Sequence, residues 1–209
     1  MATYESLLPQ VKDEVQGAPD FHLEDAVRNA VIDLLKDSGL YRTSLSMTLE
    51  DGKTDYEAAD LDPPSGTRID HYVKGWYGNR ELMAAGFEDV LARPSSSGPP
   101  RYFAPLPDHN GFRVWPEPTS AETDTLKFLV TLLPERDSSE FPDWLADGYE
   151  DAIVLRAKYR LMRVGGQPWS NPELADLRLR QYLAKLTEAK RNAFNSRHNN
   201  TQVQMRPWV

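Results

Sequence analysis

Cysteine is absent from this chain of 209 residues, which excludes disulfides, thiolate metal sites and cysteine nucleophiles. Long apolar runs are missing as well, and none approaches the roughly 20 residues that a membrane-spanning helix needs. The opening Met1-Ala2-Thr3-Tyr4-Glu5 has neither the basic nor the apolar segment of a secretory signal, so cytoplasmic synthesis and no membrane partner are expected. Catalytic signatures are lacking too: there is no Gly-rich phosphate loop, no G-x-S-x-G elbow and no H-E-x-x-H. The histidines at 22, 71, 109 and 198 fall in a helix start, a strand, a turn and the C-terminal stretch, without metal-ligand spacing. His109-Asn110 superficially resembles a nuclease motif, but turn chemistry accounts for Pro107-Asp108-His109-Asn110-Gly111. With 32 carboxylates in the chain, paired acids would signal nothing. No catalytic residue, metal or cofactor is therefore expected, and an enzyme with an unrecognised site is the weakest alternative.

What is present supports a core. A hydrophobic content of 40% in 209 residues suits one large domain, or one domain carrying an insertion, that buries about 70% of the unfolded surface. The organising stretch runs from Pro142 to Phe194. Leu145, Tyr149, Ala152, Ile153, Ala157, Leu161 and Val164 recur at three- and four-residue steps, the spacing of one helix face. Gly165-Gly166 would end that helix, Gln167-Pro168-Trp169 would cross over, and Ser170-Asn171-Pro172-Glu173 reads as a capping box. Ala175, Leu179, Tyr182, Leu186, Ala189 and Ala193 form the second stripe, giving an antiparallel pair with Trp169 packing back on it. Earlier in the chain, residues 3–15 read as a short helical lead interrupted by Pro9. A helix follows Gly17-Ala18-Pro19 with Asp20 as N-cap and Leu23, Ala26, Val27, Ala30, Val31, Leu34 and Leu35 on its inner face. Gly39 ends it.

After Gly39 the period changes to two. Leu45, Met47 and Leu49 alternate with polar residues in a strand. Asp51-Gly52 predicts a hairpin that returns with Tyr56 pointing inward. Ile69, His71 and Val73 alternate with Asp70, Tyr72 and Lys74 in a third strand, turned at Gly78-Asn79. Seven of the sixteen prolines lie between 94 and 118, ruling out long helix there. Tyr102-Phe103 and Phe112-Arg113-Val114-Trp115 read as short strands, and 93–100 as a mobile surface loop. Leu126 to Leu133 is apolar on both faces, hence a central strand. The expected fold class is α+β: an antiparallel helical bundle (1–39 and 141–194), an inserted β-rich module (40–140) and an extended C-terminal arm (195–209).

Charge is unevenly placed. Residues 177–209 hold seven Lys/Arg and one acid, a balance of +6 that leaves −14 on the rest of a chain whose net charge is −8. An acidic body with a basic end suits two ends that meet different partners; a solvated helix face with a loose tail is the plainer account. Beyond Phe194 the sequence is polar and aperiodic and finishes on Trp208-Val209. Such a segment suits an arm that orders in a groove on a partner, its aromatic as anchor. Two arginines and one Trp are too few for independent DNA binding.

Several motifs in order carry a resemblance: Leu7-Leu8-Pro9 with Val15-Gln16-Gly17-Ala18-Pro19, Asp108 to Pro116, Leu126 to Leu133, Phe141-Pro142-Asp143-Trp144-Leu145, Gly166-Gln167-Pro168-Trp169-Ser170-Asn171-Pro172, and the tail through Arg206-Pro207. Together they resemble the head-to-tail adaptor proteins of short-tailed bacteriophages. One departure is a tail rich in amides rather than arginine. The resemblance implies a non-enzymatic structural virion protein at the head–tail junction. It would be a ring, twelve copies by implication, under the portal protein, extending the channel through which genomic DNA passes without sequence-specific binding. It would also be a platform for tail tube, nozzle or tail fibre proteins. The portal-binding arm would comprise Arg197, His198, Asn199, Gln202, Val203, Met205, Arg206, Pro207, Trp208 and Val209. Leu177 and Ala184, opposite the main stripe of the last helix, would touch a neighbouring subunit together with Arg180 and Arg191. Trp115 and Trp144 would be core or interface anchors. The alternatives are another connector role, such as a stopper or tail-completion protein, and a small nucleic-acid-binding regulator using the basic last helix.

Overall fold

A computed structural model describes residues 1–108, 110–119 and 125–198, with side chains to Phe194. It is a mixed α+β structure that divides into two units. One comprises Met1–Leu40 with the described residues from Phe141 onward, and the other Tyr41–Glu140.

In the first unit, α1 (Leu8–Lys12), α2 (Asp20–Ser38), α4 (Asp143–Met162) and α5 (Pro172–His198) pack together. The expected apolar positions of α2 are all buried, and Gly39 closes the helix in the left-handed region, its N–H donating to the Leu35 carbonyl at 2.8 Å. The helix ends differ from the sequence reading. Pro9 sits in the first turn of α1 instead of interrupting it, because a proline there forfeits no intrahelical hydrogen bond. Asp20 is the first helical residue rather than the cap, and it pairs with Lys12 at 2.7 Å. The Ser170–Glu173 capping box does not form. Asn171 caps α5 instead, its Oδ1 accepting the Leu174 N–H at 3.1 Å, while Ser170 Oγ donates to the Met162 carbonyl at 3.4 Å. Pro172 excludes helical geometry from the residue before it, which makes Asn171 the cap and moves the box out of register. α4 ends at Met162, a turn short of the double glycine, so Val164 is exposed. α4 also kinks at Tyr149 (φ −135°, ψ 17°), next to Gly148, a poor helix former. α5 continues to His198, one turn beyond Phe194.

The second unit is a seven-stranded sheet in the order β2-β8-β4-β5-β6-β7-β3, antiparallel except for β5 with β6. Its strands are β2 (Arg42–Thr48), β3 (Asp55–Glu57), β4 (Thr67–Tyr77), β5 (Arg80–Ala84), β6 (Tyr102–Pro105), β7 (Gly111–Trp115) and β8 (Thr125–Pro134); α3 (Phe87–Leu91) lies against β6 and β7. The two-residue strands β1 (Ala2–Thr3) and β9 (Glu140–Phe141) lie outside it. β8 is central, as its two-sided apolar pattern requires, between β2 and β4. Phe128 on β8 faces Gly75 on β4, where a Cβ would come within 2.6 Å of the ring; only glycine leaves that ring its place. Phe128 then meets Phe103, Phe112 and Tyr72 edge-on at 4.6–5.3 Å.

Two expectations for this unit fail. The Asp51-Gly52 turn forms but makes no hairpin: β3 crosses to pair with β7 at the far edge, Asp55 opposite Arg113. Tyr56 is buried as expected, and its hydroxyl accepts the Glu50 N–H at 3.0 Å, so the sheet curls until its two edges share one core. In β4, bulges between Ile69 and His71 and between Tyr72 and Lys74 invert the alternation. His71 is therefore exposed and Tyr72 packs on the core, since each extra residue in a bulge switches faces. The 93–100 loop is tied down. Gly98 N–H donates to the Glu117 carbonyl at 2.9 Å, Trp115 Nε1 donates to the Pro94 carbonyl at 3.2 Å, and the Arg93 guanidinium lies 3.9 Å from the Tyr102 ring centre.

Candidate assembly surface

The charge and spacing of the last helix point to partners, and its placement follows from that spacing. Ala175, Tyr182, Leu186, Ala189 and Ala193 are buried against the other helices. Leu177, Arg180, Ala184 and Arg191 form one exposed stripe at steps of three, four and seven. The structure thus brings these four together, Leu177 at 47% exposure. Arg197 and His198 belong to the last turn of α5. Asn199, Gln202, Val203, Met205, Arg206, Pro207, Trp208 and Val209 lie outside the described residues.

Two carboxylates hold this helix and its neighbour in place. Glu14, just past α1, accepts Lys158 Nζ of α4 and Arg178 Nε of α5, each at 2.8 Å. Burial pushes the Glu14 carboxyl up. The hydrogen bonds and charges of Lys158 and Arg178 outweigh that and hold it below the usual glutamate range. Asp33 of α2 accepts Arg156 Nε at 2.7 Å and Arg160 Nη2 at 2.8 Å. The Arg156 guanidinium also covers the Tyr182 ring at 5.1 Å. Burial, with Asp37 adding to it, pushes Tyr182 up to about 12. None of these partners was legible beforehand. Lys158 stands beside the apolar stripe of α4, and a cation there demands an acid, but nothing local says that the acid is Glu14.

The basic character of α5 is partly spent inside the unit. Arg178 binds Glu14, and Lys185 binds Asp151 at 3.0 Å. Arg180, Lys190 and Arg191 remain exposed without an ion pair among the described residues. Between α1, α4 and α5 lies a groove of about 660 Å³ whose apolar lining includes Val154, Leu155 and Ala184. At the α2 end, Trp169 faces His22 (6.2 Å between ring centres) rather than the α4–α5 pair alone. Trp144 is 40% exposed and meets Tyr149 edge-on, whereas Trp115 is packed between Tyr102 and Arg93. No three acidic or histidine side chains gather as metal ligands among the described residues, and no described helix is long and apolar enough to cross a membrane.

A family model described as the SU10 adaptor protein matches residues 2–208. No curated protein matches the chain.

Proposed function

This chain belongs to the SU10 adaptor protein family, a phage structural family, and we propose that it forms a ring beneath the portal protein at the head–tail junction. An adaptor associates with portal and tail components. In this reading the ring, of twelve copies, extends the DNA channel and receives tube, nozzle or fibre proteins, while residues 195–209 dock into the portal. The observation that carries it is the extent of the match, residues 2–208, which takes in both units and the C-terminal stretch. Charge supports it: an acidic body discourages DNA from sticking to a channel through which it must slide. The regulator alternative loses ground because two cations of the basic helix, Arg178 and Lys185, are already neutralised by Glu14 and Asp151.

Deleting residues 199–209 tests the docking. Portal binding, followed by co-sedimentation with the purified portal of the same phage, is expected to disappear while the far-ultraviolet circular dichroism of the chain is preserved. Undiminished binding by the truncated chain would defeat the arm reading.

A further inference from the structure

The two flanks of the buried stripe of α5 border unpaired groups of opposite charge. One flank faces the groove between α1, α4 and α5. That groove shares Asp151, Lys185 and Glu188 with a smaller cleft of about 220 Å³ beside Tyr149. Around the two, Asp13, Asp147 and Glu188 are exposed and have no ion pair among the described residues. The other flank carries Arg180, Lys190 and Arg191, equally unpaired, against the exposed acid Asp176, so that it is net basic, with Leu183 at 48% and Phe194 at 55% exposure on the same side. At 3.6 residues per turn the centres of the two flanks lie about 130° apart around the axis. One helix thus presents a basic ridge with apolar side chains on one side, and borders an apolar groove rimmed by unpaired acids on the other.

We propose that the ridge of one copy of this chain seats in the groove of the next. Three unpaired cations meet three unpaired acids, and Leu183 and Phe194 meet the apolar lining. In such a contact the charges set register and orientation, and the apolar groups supply the affinity. Because ridge and groove are different surfaces, the contact is heterologous: it repeats from copy to copy, the kind of contact that builds a ring when its rotation closes and never a twofold dimer. Leu177, Arg180, Ala184 and Arg191 form the stripe that joins the two flanks, with Arg180 and Arg191 toward the ridge and Ala184 and Leu177 toward the groove. The inference rests on the ring reading above and names the faces that would build it.

Paired charge reversal tests it. A ridge variant carries Arg180→Glu, Lys190→Glu and Arg191→Glu; a groove variant carries Asp13→Lys, Asp147→Lys and Glu188→Lys. All six positions are exposed, and circular dichroism checks that both variants fold. Ring assembly on the purified portal is read by sedimentation at low salt. Neither variant alone is expected to assemble, with at least a tenfold loss of ring, whereas their equimolar mixture is expected to restore it, because each acidic ridge then finds a basic groove and each basic ridge an acidic groove. If both variants assemble alone like the native chain, or if the mixture restores nothing, the ridge-and-groove contact is overturned and the ring reading stands. A native chain that never assembles on the portal would overturn the ring reading itself, and this inference with it.

Discussion

Glu14 ties three elements of the helical unit together with one carboxylate. Its carboxylate joins α1 to α4 and α5 through Lys158 and Arg178, and Lys158 is 8% exposed. Removing the charge leaves a nearly buried ammonium without its counter-ion, which costs about 3 kcal/mol. Glu14→Gln is therefore expected to lower the urea midpoint markedly, and Glu14→Asp to lower it less. The sign of the pH dependence follows from the direction of the shift. Glu14 is held below its unfolded value, so its contribution is complete above the ordinary glutamate pKa of about 4.3 and is lost as pH falls through the lower folded value. Urea titrations between neutral and acid pH should show the native chain losing stability in that window and Glu14→Gln losing less. Asp33 plays a similar part for α2 through Arg156 and Arg160. Neither network could be inferred from the chain alone, because Lys158 and Glu14 are 144 positions apart.

Among elements, the helices were the most legible and their ends the least. The stripes of α2 and α5 emerge from three- and four-residue spacing because packing against one neighbour needs one apolar face. Caps depend on single residues that compete with each other, as Ser170 and Asn171 do. Asn171→Ala is expected to cost about 1 kcal/mol, the usual worth of an N-cap, and Ser170→Ala clearly less; thermal unfolding of the two variants would reverse the assignment if the order were inverted. The strands tell the same story in period two. β8 announces its central place by being apolar on both faces, while β4 hides two bulges that no alternation rule signals.

For the whole molecule, the sheet unit contains its own core. Tyr56, Phe103, Phe112 and Phe128 are each at most 1% exposed within one cluster that spans β2 to β8. A fragment of residues 41–140 is therefore expected to fold alone, with dispersed amide resonances and a cooperative thermal transition; a collapsed, featureless spectrum would contradict that. The helical unit is built from segments at the two ends of the sequence, so no contiguous piece of it should behave likewise.

By itself the sequence determined the long helices and most of the strands of the sheet, though not β5 or α3, together with the uneven charge and a resemblance that the family match supports. These are properties of spacing and composition, carried by neighbours a few residues apart. Tertiary structure alone decided that the turn at Gly52 sends β3 to the far edge of the sheet, that Tyr72 rather than His71 faces the core, and that the five cations of α5 with described side chains divide into two bound inside the unit and three left on its ridge. Each of those outcomes turns on a partner far away in the chain: Arg113 for Asp55, the β8 register for β4, Glu14 for Arg178. Burial selects such partners by three-dimensional fit, and sequence spacing carries no record of it.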